Sequence, residues 1–349
     1  MLRSLTLKNF TVFADETFGF AEGLNVIVGA NGAGKSHLLK AAYTIAFVSA
    51  RGERDSGSSE PTKAYLEKAI AKKLRAVFLP DALGRLVSRQ QGRGRSEVLA
   101  KFKTKALRMG FSFNSASKTE VVVETCPSQW EGKPPVFLPT RELLSIFPGF
   151  VSLYESTELP IEETWRDTCL LLGNPLVRGP RLVAINSLLE PLETQLGGKV
   201  ELDNGRFYLK LRSGRIEAHL VAEGMRKLAM IAQLIANGSL IGTGSLFWDE
   251  PEANLNPKVI KGVARTILQL CQAGIQVFVA SHSLFLVREL DILQRSEDFK
   301  DVASQFFGLH LDEAGVTVQE GISVDEIGDI DALQEELSQS DRYLQAETE

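Results

Sequence analysis

The chain has 349 residues, of which 44% are hydrophobic, 24% charged and 8% aromatic, with a formal net charge of −5. That balance excludes a disordered or fibrous protein, and the length suffices for about two lobes with a well-buried core. Three cysteines, Cys126, Cys169 and Cys271, lie far apart without metal-ligand spacing, so reduced thiols are expected and neither disulfides nor a structural zinc.

Met1 to Lys8 alternates as a strand does and lacks the long apolar run of a signal peptide, which points to a cytoplasmic protein. Residues 1–50 read as strand, strand, Gly-rich loop and helix. Asn25-Val26-Ile27-Val28 runs apolar into Gly29, and Ser36 to Ala42 has helix-forming content. Residues 51–63 are polar and turn-rich and read as a loop. Between 64 and 135 the pattern suggests a helix, a basic stretch and two antiparallel strands at 110–113 and 120–124. Residues 150–220 look mainly helical, with short strands near 206–209 and 215–218. From 222 to 290 helix, strand, helix and strand alternate, as in a largely parallel sheet. Leu228 to Trp248 carries no charge and has the length of a bilayer span, but the turn clusters Asn237-Gly238-Ser239 and Gly242 to Ser245 divide it into buried helix, loop and strand, so no membrane segment is expected.

The expected fold is therefore α/β. A discontinuous head (1–63 and 218–310) has a mostly parallel sheet with added antiparallel strands. An inserted, α-rich lobe occupies 64–217, and an acidic tail 311–349. No internal repeat and no sustained heptads are visible.

Gly29-Ala30-Asn31-Gly32-Ala33-Gly34-Lys35-Ser36 matches G-x-x-x-x-G-K-[ST] between a strand and a helix. Small residues let successive backbone N–H groups close around a phosphate, the helix N-terminus adds a favourable dipole, Lys35 meets the β- and γ-phosphates, and the Ser36 hydroxyl binds Mg²⁺. ATP and Mg²⁺ are the expected ligands, and His37 is grouped with this nucleotide-binding run. Ser245 to Pro251 is an apolar strand ending in two carboxylates, with Asp249 expected on the Mg²⁺ and Glu250 as the base that activates water. Asn256 and Pro257 then start a helix carrying Val259, Ile260, Val263, Ile267 and Leu270 at helical spacing. The next strand, Gln276 to Ala280, ends just before His282, which its strand-end position assigns to the γ-phosphate.

Taken together, Gly29 to Ser36, the run LFWDEPEANLNP from Leu246 to Pro257, and VASHS from Val279 to Ser283 resemble the ABC-type ATPases. The opening LTLKNFTVFADETFGFAEGLNVIVGANGAGKS is similar to the branch that contains the SMC, RecF-like and overcoming-lysogenization-defect ATPases. The resemblance covers residues 1–45 and 218–290. It implies ATP hydrolysis by Lys35, Glu250 and His282, and a homodimer that sandwiches nucleotide and controls nucleic acid, DNA or RNA, or a separate effector such as a nuclease or toxin. Stand-alone ATPases of this appearance resemble phage-defence and DNA-maintenance components. A sensor or scaffold switched by ATP with negligible turnover is the alternative, and a transporter motor is disfavoured by the opening and by the lack of an LSGGQ-type signature.

The partner-facing signature loop falls at Val221-Ala222-Glu223-Gly224-Met225-Arg226-Lys227. Gly224 keeps its place for nucleotide contact, whereas Ala222 replaces the usual serine. Arg226 and Lys227 either compensate electrostatically or merely solvate the helix. Glu142, after Phe137 to Arg141, is a candidate for the glutamine-loop role. By family position Arg3, Phe10 and Phe13 are candidates for base and phosphate contacts, with core packing the simpler account of both phenylalanines.

Two charge runs remain. Arg85, Arg89, Arg93, Arg95, Lys101, Lys103, Lys105 and Arg108 face a single acid, Glu97, and read either as a track for a phosphate backbone or as a solvated loop. Leu311 to Glu349 has twelve acids and one arginine. It reads as a disordered or partner-docking tail that shields the basic run.

Overall fold

The computed structural model describes residues 1–88, 94–179, 182–312, 315–329 and 331–348. In chain order the strands and helices are β1 (Leu2–Phe10), β2 (Phe13–Gly19), β3 (Leu24–Gly29), α1 (Lys35–Ser56), α2 (Lys63–Phe78), β4 (Arg95–Phe102), β5 (Met109–Asn114), β6 (Val122–Thr125), β7 (Pro135–Leu138), α3 (Phe147–Ser156), α4 (Glu163–Leu172) and α5 (Leu182–Leu196). They continue with β8 (Gly198–Asp203), β9 (Arg206–Leu211), β10 (Gly214–Glu217), α6 (Glu223–Ala236), β11 (Ser245–Asp249), α7 (Pro257–Gln272), β12 (Gln276–Ser281), α8 (Leu284–Gln294), β13 (Ser304–Asp312), β14 (Gly315–Gly321) and α9 (Asp331–Thr348).

The main sheet has the order β14-β13-β3-β12-β11-β7, and all its pairs are parallel except β13 with β14. β3, β7, β11 and β12 are buried on both faces, which is why they read as continuous apolar runs. Alternation divides them between two cores. Val26 and Val28, Leu246 and Trp248, and Val277 and Val279 face the core built with α6, α7 and α8. Ile27, Phe247, Phe278 and Phe307 face the core shared with α1, α2 and a five-stranded antiparallel sheet, β2-β1-β4-β5-β6. Phe247 and Phe278 stack with ring centroids 4.6 Å apart across β11 and β12. Gln276 locks the antiparallel sheet onto the main one: its amide accepts from Leu2 N (2.8 Å) and donates to Leu2 O (2.7 Å) and Ala21 O (2.8 Å). The small sheet β10-β9-β8 packs with α3, α5 and α6.

Several sequence expectations need correction. The first 50 residues hold three strands before the phosphate loop, and α1 runs through Ser56 into the segment expected as loop. The segment 64–217 is not separate in its hydrogen bonding, because β4 pairs with β1 and β7 pairs with β11. The basic run is not a loop throughout: Arg95 to Phe102 is β4, with Ser96, Val98, Ala100 and Phe102 buried and its charges on the open face. Arg89 and Arg93 lie outside the described residues. The acidic tail begins inside the sheet, since β13 runs to Asp312 and β14 closes the edge. Beyond it α9 forms a helix. All three cysteines are free thiols, with Cys169 and Cys271 buried. Among the described residues no helix is long and apolar enough to cross a membrane.

Candidate functional site

Three adjacent parallel strands deliver the site. Register places Asp249 at the end of β11 opposite Ala280 of β12, and Ser281 opposite Val28 of β3, one residue before Gly29. The phosphate loop, the carboxylate pair and His282 therefore leave the same edge of the sheet, where ligands bind in open α/β folds. Within the loop Gly32 and Gly34 have φ of +87° and +93°, and a Cβ on Gly34 would meet Val12 Cγ2 at 2.5 Å and Phe13 Cζ at 2.8 Å. Glycine is required there by conformation and by the close approach of the β1–β2 turn.

Ser36 Oγ donates to Asp249 Oδ1 at 3.0 Å, which brings together two groups 213 residues apart. Burial pushes the Asp249 carboxyl up to about 6; the Ser36 bond opposes this and the neighbouring Glu250 adds to it. A hydroxyl and a carboxylate are hard oxygen donors that suit Mg²⁺, and a cation beside a buried carboxylate that resists ionisation removes the electrostatic penalty. The fit to Mg²⁺ rests on that donor set. Lys35 is buried, and its Nζ folds onto the carbonyls of Gly29 (2.8 Å) and Ala30 (3.0 Å). Burial lowers its pKa, against the pull of Glu250, Asp249 and Glu252.

Glu250 sits in the left-handed region at φ +47°, a conformation that costs a non-glycine residue about 1 kcal/mol and turns its side chain out of the strand path. Its Oε1 lies 3.0 Å from His282 Nδ1. With the carboxylate ionised, Nδ1 carries the proton and the other ring nitrogen stays free for a second partner. The backbone strain is held by three bonds, from Glu250 N to Ala280 O (2.9 Å), from Ala253 N to Glu250 O (3.1 Å), and from Lys227 Nζ to Glu250 O (2.6 Å).

Sequence reasoning missed this use of Lys227, which is 1% exposed, so it does not solvate the helix. The signal was its spacing: Lys227, Met230, Ile231 and Leu234 form one buried stripe of α6. Burial lowers its pKa to about 8 despite the nearby carboxylates of Glu252, Glu250 and Asp249. Arg226 is also committed, donating to Glu142 Oε1 (2.6 Å) and Val221 O (2.5 Å). Glu142 is thereby tied to the signature helix and to the Ser145 hydroxyl (2.6 Å), so its carboxylate is engaged and not free in the way the glutamine-loop expectation requires. A second carboxylate missed in the sequence, Glu252, is buried and accepts from Ser281 Oγ at 2.6 Å.

The remaining candidates divide. Phe10 and Phe13 are fully buried in the core, and Arg3 is exposed on β1. His37 packs its ring 5.7 Å from that of Phe78, and burial lowers its pKa to about 4, so it is neutral near pH 7. Ala222 caps α6 without a side-chain bond, which leaves the first N–H groups of that helix unsatisfied by it. Gly224 lies against Asn254, whose carbonyl a Cβ would approach to 2.8 Å, and Asn254 Nδ2 donates to Glu223 Oε1 at 3.0 Å. The signature loop is thus packed on the turn that follows Glu250.

Residues 4–73 match a family described as "AAA domain", and residues 155–288 match one described as "AAA domain, putative AbiEii toxin, Type IV TA system". The DNA replication and repair protein RecF of Geobacillus kaustophilus (strain HTA426) is 39% identical over 59 residues, which is 17% of this chain and only 15% of that protein. An SMC head bound to the C-winged helix domain of ScpA superimposes with a TM-score of 0.57 at 14% identity, covering 93% of this chain and 98% of that one. An SMC head with an extended coiled coil, bound to the C-terminal domain of ScpA derived from Pyrococcus furiosus, gives 0.53 at 12% identity, covering 100% and 99%. Two separate segments, 4–73 and 155–288, thus match AAA-domain families, and the chain as a whole has the fold of the SMC heads.

Proposed function

We propose that the chain hydrolyses ATP and that two copies close around the nucleotide to control a separate partner. The observation that carries this reading is the convergence of two pairs, Ser36 with Asp249 and Glu250 with His282, each 3.0 Å apart, at one edge of the sheet. Ser36, with Asp249 beside it, would hold Mg²⁺, which would supply charge neutralisation to the bound triphosphate. Lys35 leaves the carbonyls of Gly29 and Ala30 for the phosphate oxygens. Glu250 takes the proton of the attacking water, while His282 orients that carboxylate through Nδ1 and turns its other nitrogen to the γ-phosphate. The first N–H groups of α6, which Ala222 does not cap with its side chain, suit a phosphate across a dimer interface.

RecF is named for DNA replication and repair, and the second matched family for a toxin system; both support a role in DNA maintenance or phage defence through nucleic acid or a toxin-like effector. A scaffold that binds ATP without turnover is favoured by one observation, the missing hydroxyl at Ala222. ATPase assays and light scattering on wild type and Glu250→Gln separate the two. A hydrolase loses about 100-fold or more of its rate in the variant and accumulates as an ATP-dependent dimer. A scaffold dimerises with no wild-type rate to lose, and a rate unchanged by the substitution refutes the assignment of Glu250.

A further inference from the structure

Away from the sheet edge, α1, α2 and α4 enclose a cleft of about 540 Å³, within the usual size range for small-ligand sites. Arg51 and Arg54, from the last turns of α1, and Lys68 and Lys72, from one face of α2, line it together. A larger depression of about 970 Å³ shares Lys68 and Lys72 and adds Arg75. None of these five cations has a carboxylate within 4.0 Å among the described residues.

The acids at the cleft floor are already used. Asp167 is bonded by Lys73 Nζ (2.5 Å) and Tyr43 Oη (2.7 Å), and Glu163 lies 3.1 Å from Lys73 Nζ. Arg166 adds a second cation, 3.3 Å from Asp167. Of the lining acids only Asp55 remains against four unpaired cations. The negative end of the α1 dipole accounts for Arg54, but it does not reach Lys68 and Lys72 inside α2, where like charges one turn apart disfavour the helix.

We propose that this cleft is a second anion site, distinct from the phosphate loop, which takes a compact ligand bearing several phosphate groups between Arg51 and Arg54 on one wall and Lys68 and Lys72 on the other. Convergence of cations from two packed helices suits a compact anion, whereas a strand follows a line. The aromatic surface argues the same way. Lys73 Nζ covers the Phe47 ring at 3.4 Å, the Arg51 guanidinium lies 5.3 Å from it, and the Tyr65 ring meets Trp130 edge-on at 5.8 Å, so the rings lining the cleft are already engaged by side chains, which disfavours base stacking. Such a ligand ties α1 and α2 to α4. At the head of α4, Glu162 is bonded to Lys40, which lies on α1 one turn beyond Ser36.

Calorimetric titration with inorganic tripolyphosphate tests the site, using Lys35→Ala to silence the phosphate loop and, in parallel, wild type preloaded with Mg-ADP. One saturable site is expected, weakened about ten-fold or more in Arg54→Gln/Lys72→Gln. Both residues are exposed and unpaired, so an unchanged melting temperature should accompany the loss. Absence of binding, equal binding by the double variant, or binding of a 20-nucleotide single strand but not of tripolyphosphate overturns the proposal.

Discussion

Lys227→Met tests whether the buried lysine positions Glu250. The lysine is enclosed among Glu250, Glu252 and Asp249, and its ammonium donates to Glu250 O at 2.6 Å. Two terms oppose each other in stability. Holding a lysine with a pKa of about 8 in place of 10.5 charged at pH 7 costs the native state about 3 kcal/mol, which methionine removes. The attraction of the nearby carboxylates is already contained in that figure, so the opposing loss is the charge-assisted bond to Glu250 O, about 1.5–3 kcal/mol. The net stability change is therefore small, about 1 kcal/mol or less, or roughly 2–4 °C in melting temperature. Activity has no such compensation. The lysine is one of three bonds holding Glu250 at φ +47°, and relaxation of that turn moves the carboxylate from His282. A fall in kcat of about ten-fold or more, with KM for ATP nearly unchanged, is expected in steady-state assays. The pH dependence supplies an independent check. Because the folded pKa lies below the ordinary one, the native state releases this proton first, so stability from this group is lost as pH falls through about 8 and fully present above 10.5. Wild type should gain on the methionine variant as pH rises from 8 to 10. Full kcat in the variant, or a flat difference across that window, refutes the argument.

Two further substitutions probe the site. Asp249→Asn should raise the stability of the ligand-free protein at pH 7 by about 1–3 kcal/mol, while abolishing any stabilisation by Mg-ATP, measured by thermal unfolding. The Asp249 carboxyl titrates near 6 in place of 3.8, so its favourable contribution is complete below pH 3.8 and lost as pH rises through 6; a variant no more stable at pH 7 than at pH 4, relative to wild type, contradicts this. Gly34→Ala should destabilise by about 2–4 kcal/mol in denaturant titrations and eliminate nucleotide binding, since φ +93° and the 2.5 Å approach to Val12 both penalise a Cβ; a variant of native stability refutes the close-approach reading.

The candidate nucleotide site was legible because each of its parts is a short local string. Gly29 to Ser36, Asp249-Glu250 and His282 each follow an apolar strand, and a parallel sheet buried on both faces necessarily collects its strand ends on one edge. The antiparallel sheet was not legible, since pairing of β1 with β4 joins residues about 95 apart and leaves no local trace. In β4 itself the buried set, Ser96, Val98, Ala100 and Phe102, keeps period two, but the lysines and arginines on the open face masked it as a charge run. β14 was hidden differently, by being read as part of the acidic tail, although within it only Glu320 is charged, and that carboxylate accepts from Gly19 N of β2. Lys227 shows the opposite failure: a charge within a buried stripe was read by its type, when its helical phase placed it inside.

The most direct test is a crystal structure of Glu250→Gln with Mg-ATP. The account predicts triphosphate enclosed by residues 29–36, Lys35 Nζ transferred from the Gly29 and Ala30 carbonyls to phosphate oxygens, and the ion beside Ser36 and Asp249. His282 should face the γ-phosphate, with a second copy's Val221–Lys227 loop opposite. Nucleotide bound away from this edge, with Lys35 still folded onto its own loop, contradicts it.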